Sequence, residues 1–334
     1  LSMKILEDID MRKESRPFTD CLYTILTNRG LFDGPKYMLS GMTAMAFVYV
    51  AHERLIPPST EMYTLAATSW EAVDRLGIYS EIYQGMKFNP TFPLYQKKAI
   101  ERTKESINKG IAALVWAPGI TDFGVIYGYD DEDEAFFYKD RFNEDEQILL
   151  YNNIGKAEAS FWMIQIIGNK INKDIRDIYI ESLESAIDYW ELVYTPEKTR
   201  KEFGAGRKAH EFLIEALKND DFHDRGACKI INYKIVAIEE ICQYLIEVKK
   251  EFPEIENANF YYRELNKVYK QIRKIIPEII YRNTKIDRKH MPKLIENLEE
   301  AKEIEEKAIS ELKCFLRELL NNRYIDIYDV KKFV

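Results

Sequence analysis

The stretch Asn108-Lys109-Gly110-Ile111-Ala112-Ala113-Leu114-Val115-Trp116 runs out of a charged segment, through a glycine, into a continuous apolar run. Asp122-Phe123-Gly124-Val125-Ile126-Tyr127-Gly128-Tyr129-Asp130-Asp131 follows, and then Phe136-Phe137-Tyr138-Lys139-Asp140. Short runs of β-branched and aromatic residues, separated by glycine and an acidic cluster, predict helix end, buried strand, strand, polar hairpin turn and strand. Working outward, Met62-Tyr63-Thr64-Leu65-Ala66 and Phe161-Trp162-Met163-Ile164-Gln165-Ile166-Ile167 add two further strands, and Gly168 closes this half. Ser69 before Trp70 and Gly77 after Leu76 bracket a two-turn helix, and 94–109 predicts a longer one ended by Gly110.

From Asp174 onward the period changes. Ile175, Ile178, Tyr179, Leu183, Ile187 and Trp190 recur at helical spacing, and Thr195-Pro196, Gly204 and Gly206 interrupt the pattern. Helices are predicted over 207–218, 227–252, 257–282 and 291–321. The Glu- and Lys-rich stretch 296–307 reads as a solvated outer helix face in preference to a coiled-coil seam. The fold class is thus α+β followed by all-α, with domains at 1–170 and 206–334 and a helical connection over 171–205.

At 334 residues the chain is long enough for two cores. No apolar run approaches the twenty residues of a membrane span. Residues 1–16 carry both charge signs and lack the apolar stretch of a secretory signal, so export is not expected. Cys21, Cys228, Cys242 and Cys314 are scattered with no CxxC pair, which favours a reducing cytoplasm over a zinc or disulfide scaffold. Residues 1–168 hold 17 Lys and Arg against 24 Asp and Glu, and 169–334 hold 31 against 32, which gives the net charge of -8. Neither half is basic, so no nucleic-acid partner is expected.

Cys21 follows Phe18-Thr19-Asp20, which places it in the first turn of a helix capped by Thr19 or Asp20. Unpaired N–H groups and the positive dipole end there would favour a thiolate. Cysteine is also a common small core residue, and that plainer role stands beside the catalytic one.

Taken together, the cysteine helix, the basic residue and glycine before a buried strand, and the strand running into Gly128-Tyr129-Asp130 resemble the papain-like fold of bacteriocin-processing peptidases. The similarity is greater to the family of the butirosin-biosynthesis protein H. It covers roughly 19–168, including the small-residue segment Ser40-Gly41-Met42-Thr43-Ala44-Met45-Ala46-Phe47, and extends weakly to Gly206-Arg207-Lys208-Ala209-His210-Glu211. The resemblance implies a papain-like domain with Cys21 as nucleophile, position 122 as general base and Asp140 as the orienting carboxylate. Position 122 is Asp where the family has His. A carboxylate with a pKa near 4 is poorly matched to taking a thiol proton and returning it, and acids facing a thiolate repel it. Peptidase activity is therefore not expected.

His52 is the auxiliary candidate, the one other histidine within the papain-like segment; a structural histidine is the plainer reading. His210, His223 and His290 have no metal-site spacing, although a moving helical domain would deliver His210 or His223. The run Asp130-Asp131-Glu132-Asp133-Glu134 lacks the calcium-loop pattern and reads as a solvated turn. Trp70, Tyr79, Tyr83, Phe88, Phe92 and Tyr95 read as core, with pocket lining as the lesser alternative. No nucleotide-binding or hydrolase motif appears, and no cofactor or metal is expected. Two functions follow from the resemblance: binding of a small molecule, peptide or acyl group around Cys21 without turnover, or acyl transfer from a carrier-protein thioester to an amine through Cys21. The expected partners are a small molecule or an acyl-carrier protein. A helical scaffold that forms a homo-oligomer is the third reading.

Overall fold

Most of the apolar runs expected as strands do pair, and they build an antiparallel sheet with helices on it, followed by a helical region. The computed structural model describes residues 2–61, 65–119, 122–141, 146–191, 201–277 and 284–319. In chain order the elements are β1 (Met3–Ile5), α1 (Pro17–Asn28), α2 (Lys36–Met42), β2 (Val50–His52), α3 (Leu65–Arg75), β3 (Ile78–Met86), α4 (Phe92–Asn108), β4 (Ala113–Trp116), β5 (Phe123–Asp130), β6 (Ala135–Asp140), β7 (Gln147–Leu150) and β8 (Phe161–Lys170). After these come α5 (Ile175–Glu191), β9 (Phe203–Ala205), α6 (Arg207–Asn219), α7 (Asp224–Glu251), α8 (Glu256–Arg273) and α9 (Met291–Leu319).

They form two units, Leu1–Met45 with Tyr63–Lys173, and Ala46–Met62 with Asp174–Val334. In the first, the sheet order is β3-β8-β4-β5-β6-β7, and β1 pairs with the far half of β5 beyond β4. That pairing requires Gly128, because a Cβ there would lie 3.0 Å from both the Lys4 carbonyl oxygen and the Phe137 ring. Alternation along β4 sends Ala113 and Val115 into a core with Phe92, Ala99 and Ile107 of α4. Trp116 instead packs at a tilt against Phe123, whose ring meets Phe18 of α1 at 5.4 Å. The sheet is thus apolar on both faces, which is why Ile111–Trp116 reads as one unbroken run.

Several elements differ from the sequence expectations. Leu65 and Ala66 open α3 and are not in a strand, and Ser69 lies inside that helix; Met62, Tyr63 and Thr64 fall outside the described residues. β1, β3 and β7 were not anticipated. In β3, Tyr79 and Tyr83 are outward or half-buried residues of a sheet-edge strand, while Trp70, Phe88 and Tyr95 are exposed. Of the six aromatics read as core, only Phe92 is buried, against Trp162. The acidic run forms the β5–β6 hairpin turn, where Asp130 Oδ1 accepts from Glu132 N at 2.8 Å.

The second unit begins before the expected boundary. β2 pairs antiparallel with β9, Val50 opposite Ala205 and His52 opposite Phe203, so Gly204 lies in a strand and is not a simple break. Residues 55–56 then run against the start of α7, where a Cβ on Gly226 would lie only 1.8 Å from the Leu55 carbonyl oxygen. Lys229 of α7 donates to Glu61 at 2.9 Å. These contacts tie 46–62 to the helical unit, which sequence order alone does not suggest. α5 packs on α9 and is part of this unit, where 171–205 had read as a connection. Thr195 and Pro196, residues 278–282 of the third expected helix and 320–321 of the last lie outside the described residues. In α9, Leu294, Leu298, Ala301, Glu305, Ala308 and Leu312 are buried at alternating spacings of four and three. The stretch 296–307 is therefore not wholly a solvated face, since Glu305 occupies a core position in it. Among the described residues, no helix is long and apolar enough to cross a membrane.

Candidate functional site

Pro17 sets the start of the cysteine helix. Its fixed φ and missing N–H suit the first helical position, so Arg16 is the cap residue and makes no side-chain cap bond. The helix begins earlier than Thr19 or Asp20 capping would allow. Its ladder opens with Asp20 N donating to Arg16 O at 2.9 Å, which leaves Cys21 as the fifth helical residue, beyond the open first turn. The free helix-start amides that an oxyanion hole at Cys21 would use are thus not at Cys21.

Asp20 instead turns back on the preceding loop. Its Oδ1 accepts from Ser15 N at 2.9 Å, Glu14 N at 3.2 Å and Lys36 Nζ at 2.8 Å. Lys36 also donates to Arg12 O at 2.6 Å. Burial pushes the Asp20 carboxyl up by more than Lys36 and Arg141 pull it down. Removing this carboxylate in Asp20→Ala leaves two amides without their acceptor and takes from the buried Lys36 ammonium its one buried counter-charge, with Arg12 O and the exposed Glu14 carboxylate remaining to it. We expect a loss of about 2–3 kcal/mol in urea unfolding, with a smaller loss in Asp20→Asn, which keeps Oδ1.

Asp122 immediately precedes β5, is buried, and accepts from its neighbour Phe123 N at 2.8 Å. Asp140 ends β6, opposite Gly124, and is buried as well. The β5–β6 pairing thus brings these carboxylates to one end of the hairpin, and α1 lies on β5. Cys21 of α1 is close enough to feel the charges of both Asp122 and Asp140. Its thiol is entirely buried and is held well above the usual value, first by burial and then by Asp20, Asp122 and Asp140, against the opposing pull of Arg141. This burial opposes the thiolate expected from the helix start. Burial removes the solvation a thiolate needs, and the nearest charges are mostly of its own sign.

The histidines lie elsewhere. All four, His52, His210, His223 and His290, are in segments of the second unit. His52 is bonded locally, its Nδ1 accepting from Arg54 N at 2.9 Å and its ring meeting Phe203 edge-on at 4.9 Å. Burial lowers its pKa. His223 caps α7, and its backbone N donates to Arg54 O. His290 is exposed in a short turn before α9. His210 is fully buried, with Nε2 2.9 Å from Glu305 Oε2, while Lys234 Nζ donates to Glu305 Oε1 at 2.6 Å. Among the described residues, no group of three His, Cys, Asp or Glu side chains could hold a metal ion.

Sequence reasoning missed Asp20, Lys36 and Arg141 at the cysteine centre. Asp20 was adjacent to Cys21 and readable as a third acid, whereas Lys36 comes from a different helix and carries no spacing signal. No protein-family model matches the chain, and a search of the curated proteins finds no match.

Proposed function

We propose that this chain is a degenerate papain-like protein, resembling the butirosin-biosynthesis protein H family in motif order but without peptidase activity, that binds a small molecule, peptide or acyl group around Cys21 without turnover. The resemblance in motif order is supported by Cys21 on its helix lying close enough to Asp122 at the start of β5 and Asp140 at the end of β6 to feel their charges. The observation that carries the loss of catalysis is the Cys21 thiol itself, wholly buried and kept protonated first by that burial and then by the charges of Asp20, Asp122 and Asp140, against the opposing pull of Arg141. Nucleophilic catalysis needs the thiolate and a base that cycles near neutral pH, and the first unit contains no imidazole.

Alkylation with iodoacetamide at pH 7, followed by peptide mass mapping, tests this reading. Cys314 is exposed and should label at the rate of an ordinary thiol. Cys228 and Cys242, pushed up to about 12 by burial, should be protected. Cys21, wholly buried and with its thiol held protonated first by that burial, should label far more slowly than exposed Cys314. An N-acetylcysteamine acyl thioester should leave no adduct on Cys21. Rapid, selective acylation there would overturn the binding reading in favour of carrier-linked acyl transfer.

A further inference from the structure

One face of the first unit's sheet is apolar throughout but covered by its own helices over only half its width. On the face away from α4, the Phe123 ring of β5 meets Phe18 of α1, and Val125 points the same way. The same face then continues across β6 and β7. Val125 is opposite Lys139; Phe137, two residues earlier in β6, is opposite Gly128 on one side and Ile148 on the other; and Gly128 is opposite Ile5 of β1. Ile5, Gly128, Phe137 and Ile148 therefore stand in one row across four strands, with Met3, Asp130, Ala135 and Leu150 in the row beside it. The first row closes over its glycine, since Ile5 Cγ1 and Phe137 Cδ2 lie 3.1 and 3.0 Å from the point a Gly128 Cβ would occupy.

The reverse side of these strands is core, with Tyr129, Phe136 and Leu149 packed in it, whereas Ile148 is 63% exposed and Met3, Ile5 and Leu150 are exposed as well. A contiguous apolar surface of this kind marks a contact site. Its border at the β5–β6 turn is acidic. Among the described residues no cation pairs with Asp130, Glu132, Asp133 or Glu134, while Asp131 is taken by Lys104 of α4. Lys4 is bonded to Asn108 O and Lys139 to Ile9 O, so the neighbouring ammonium groups are also engaged.

We infer that the bare half of this face seats an amphipathic helix of a partner protein, its apolar stripe on the two rows and a basic flank on the acidic turn. A helix is the element with which this chain covers the other half of the same face. Four strands span about 14 Å, the length of roughly three helical turns. The unpaired acids call for Lys or Arg on the partner, which a second copy of this chain would not supply, because it brings the same acids and the same engaged lysines. The surface does not involve Cys21.

Calorimetric titration of the full chain with an 18-residue amphipathic helical peptide, Leu on one face and Lys on the flanks, tests the inference. The same peptide with Glu for Lys and a scrambled Lys peptide are the controls. The Lys peptide should bind saturably and at least about tenfold more tightly than either control, with hydrogen exchange slowed in 3–5, 135–137 and 147–150. Ile148→Ser, and separately Glu132→Lys with Asp133→Lys, should each weaken its Kd about tenfold at unchanged circular dichroism and Tm, as all three residues are exposed. No binding, equal binding of the three peptides, protection confined to other segments, or an unchanged Kd in these variants would overturn the inference. So would a doubled solution mass that Ile148→Ser halves, which would assign the face to a second copy.

Discussion

Replacing Glu305 by Leu should lower the stability of the helical unit by about 3–5 kcal/mol, because the Lys234 ammonium and the His210 Nε2–H then lose the carboxylate that solvates them in a dry interior. Urea unfolding followed by circular dichroism reads this as a lower midpoint at unchanged slope. The double replacement Glu305→Leu with Lys234→Met should recover much of the loss, since two buried charges removed together leave no orphan ion. A double variant as unstable as the single one would show that the pair is not coupled.

The same centre sets a pH dependence whose sign is fixed by two depressed groups. Burial alone would raise the Glu305 carboxyl, but Lys234 and His210 hold it down at about 2. Its stabilisation is complete above the ordinary carboxylate range, near 4.5, and is lost as pH falls through that value towards 2. Burial lowers the His210 pKa below its ordinary 6.5 despite the pull of Glu305. Below that value the unfolded chain takes a proton that the folded one refuses, so this contribution also weakens on acidification. Between pH 4 and 8 these two groups should therefore leave Tm flat above about pH 6.5 and lower it steadily below that value. A Tm that rises between pH 6.5 and 5 would contradict the assignment of His210 as neutral.

Gly226→Val should cost about 3 kcal/mol or more, with the loss confined to the helical unit. A Cβ at this position would sit 1.8 Å from the Leu55 carbonyl and 2.8 Å from Ile56 C, and both are backbone atoms that cannot turn away. Residues 55–56 would have to lift from the start of α7, which strains the Lys229–Glu61 ion pair next to them. Hydrogen exchange should show faster exchange in 50–61 and in the first turns of α7, with β4, β5 and β8 unchanged. Wild-type-like exchange at 50–61 would show that this segment is not braced by α7.

What could be read from the residues follows from periodicity. β4, β5, β6 and β8 lie where β-branched and aromatic runs stand between turn residues, and α5 to α9 lie where apolar residues repeat at helical spacing, because local pattern must match the face that is buried. β3 was legible in principle from Ile78, Ser80 and Ile82 alternating with Tyr79 and Glu81, but its exposed aromatics imitate a core. The placing of Asp122 and Asp140 at one end of a hairpin was legible too, since the runs that form β5 and β6 flank an acidic turn.

The state of the thiol was not readable. Helix-start position suggests a lowered pKa, yet desolvation and neighbouring carboxylates decide it, and both are properties of what the fold brings near. Residues 46–62 joined the helical unit through a strand pairing across about 150 residues of chain, a non-local contact with no period to announce it. Glu305 shows the division most sharply. Its place in the apolar repeat of α9 was written in the sequence, but its partners His210, Lys234 and Tyr49 meet it only in three dimensions, where the low dielectric of the interior makes their pairing compulsory.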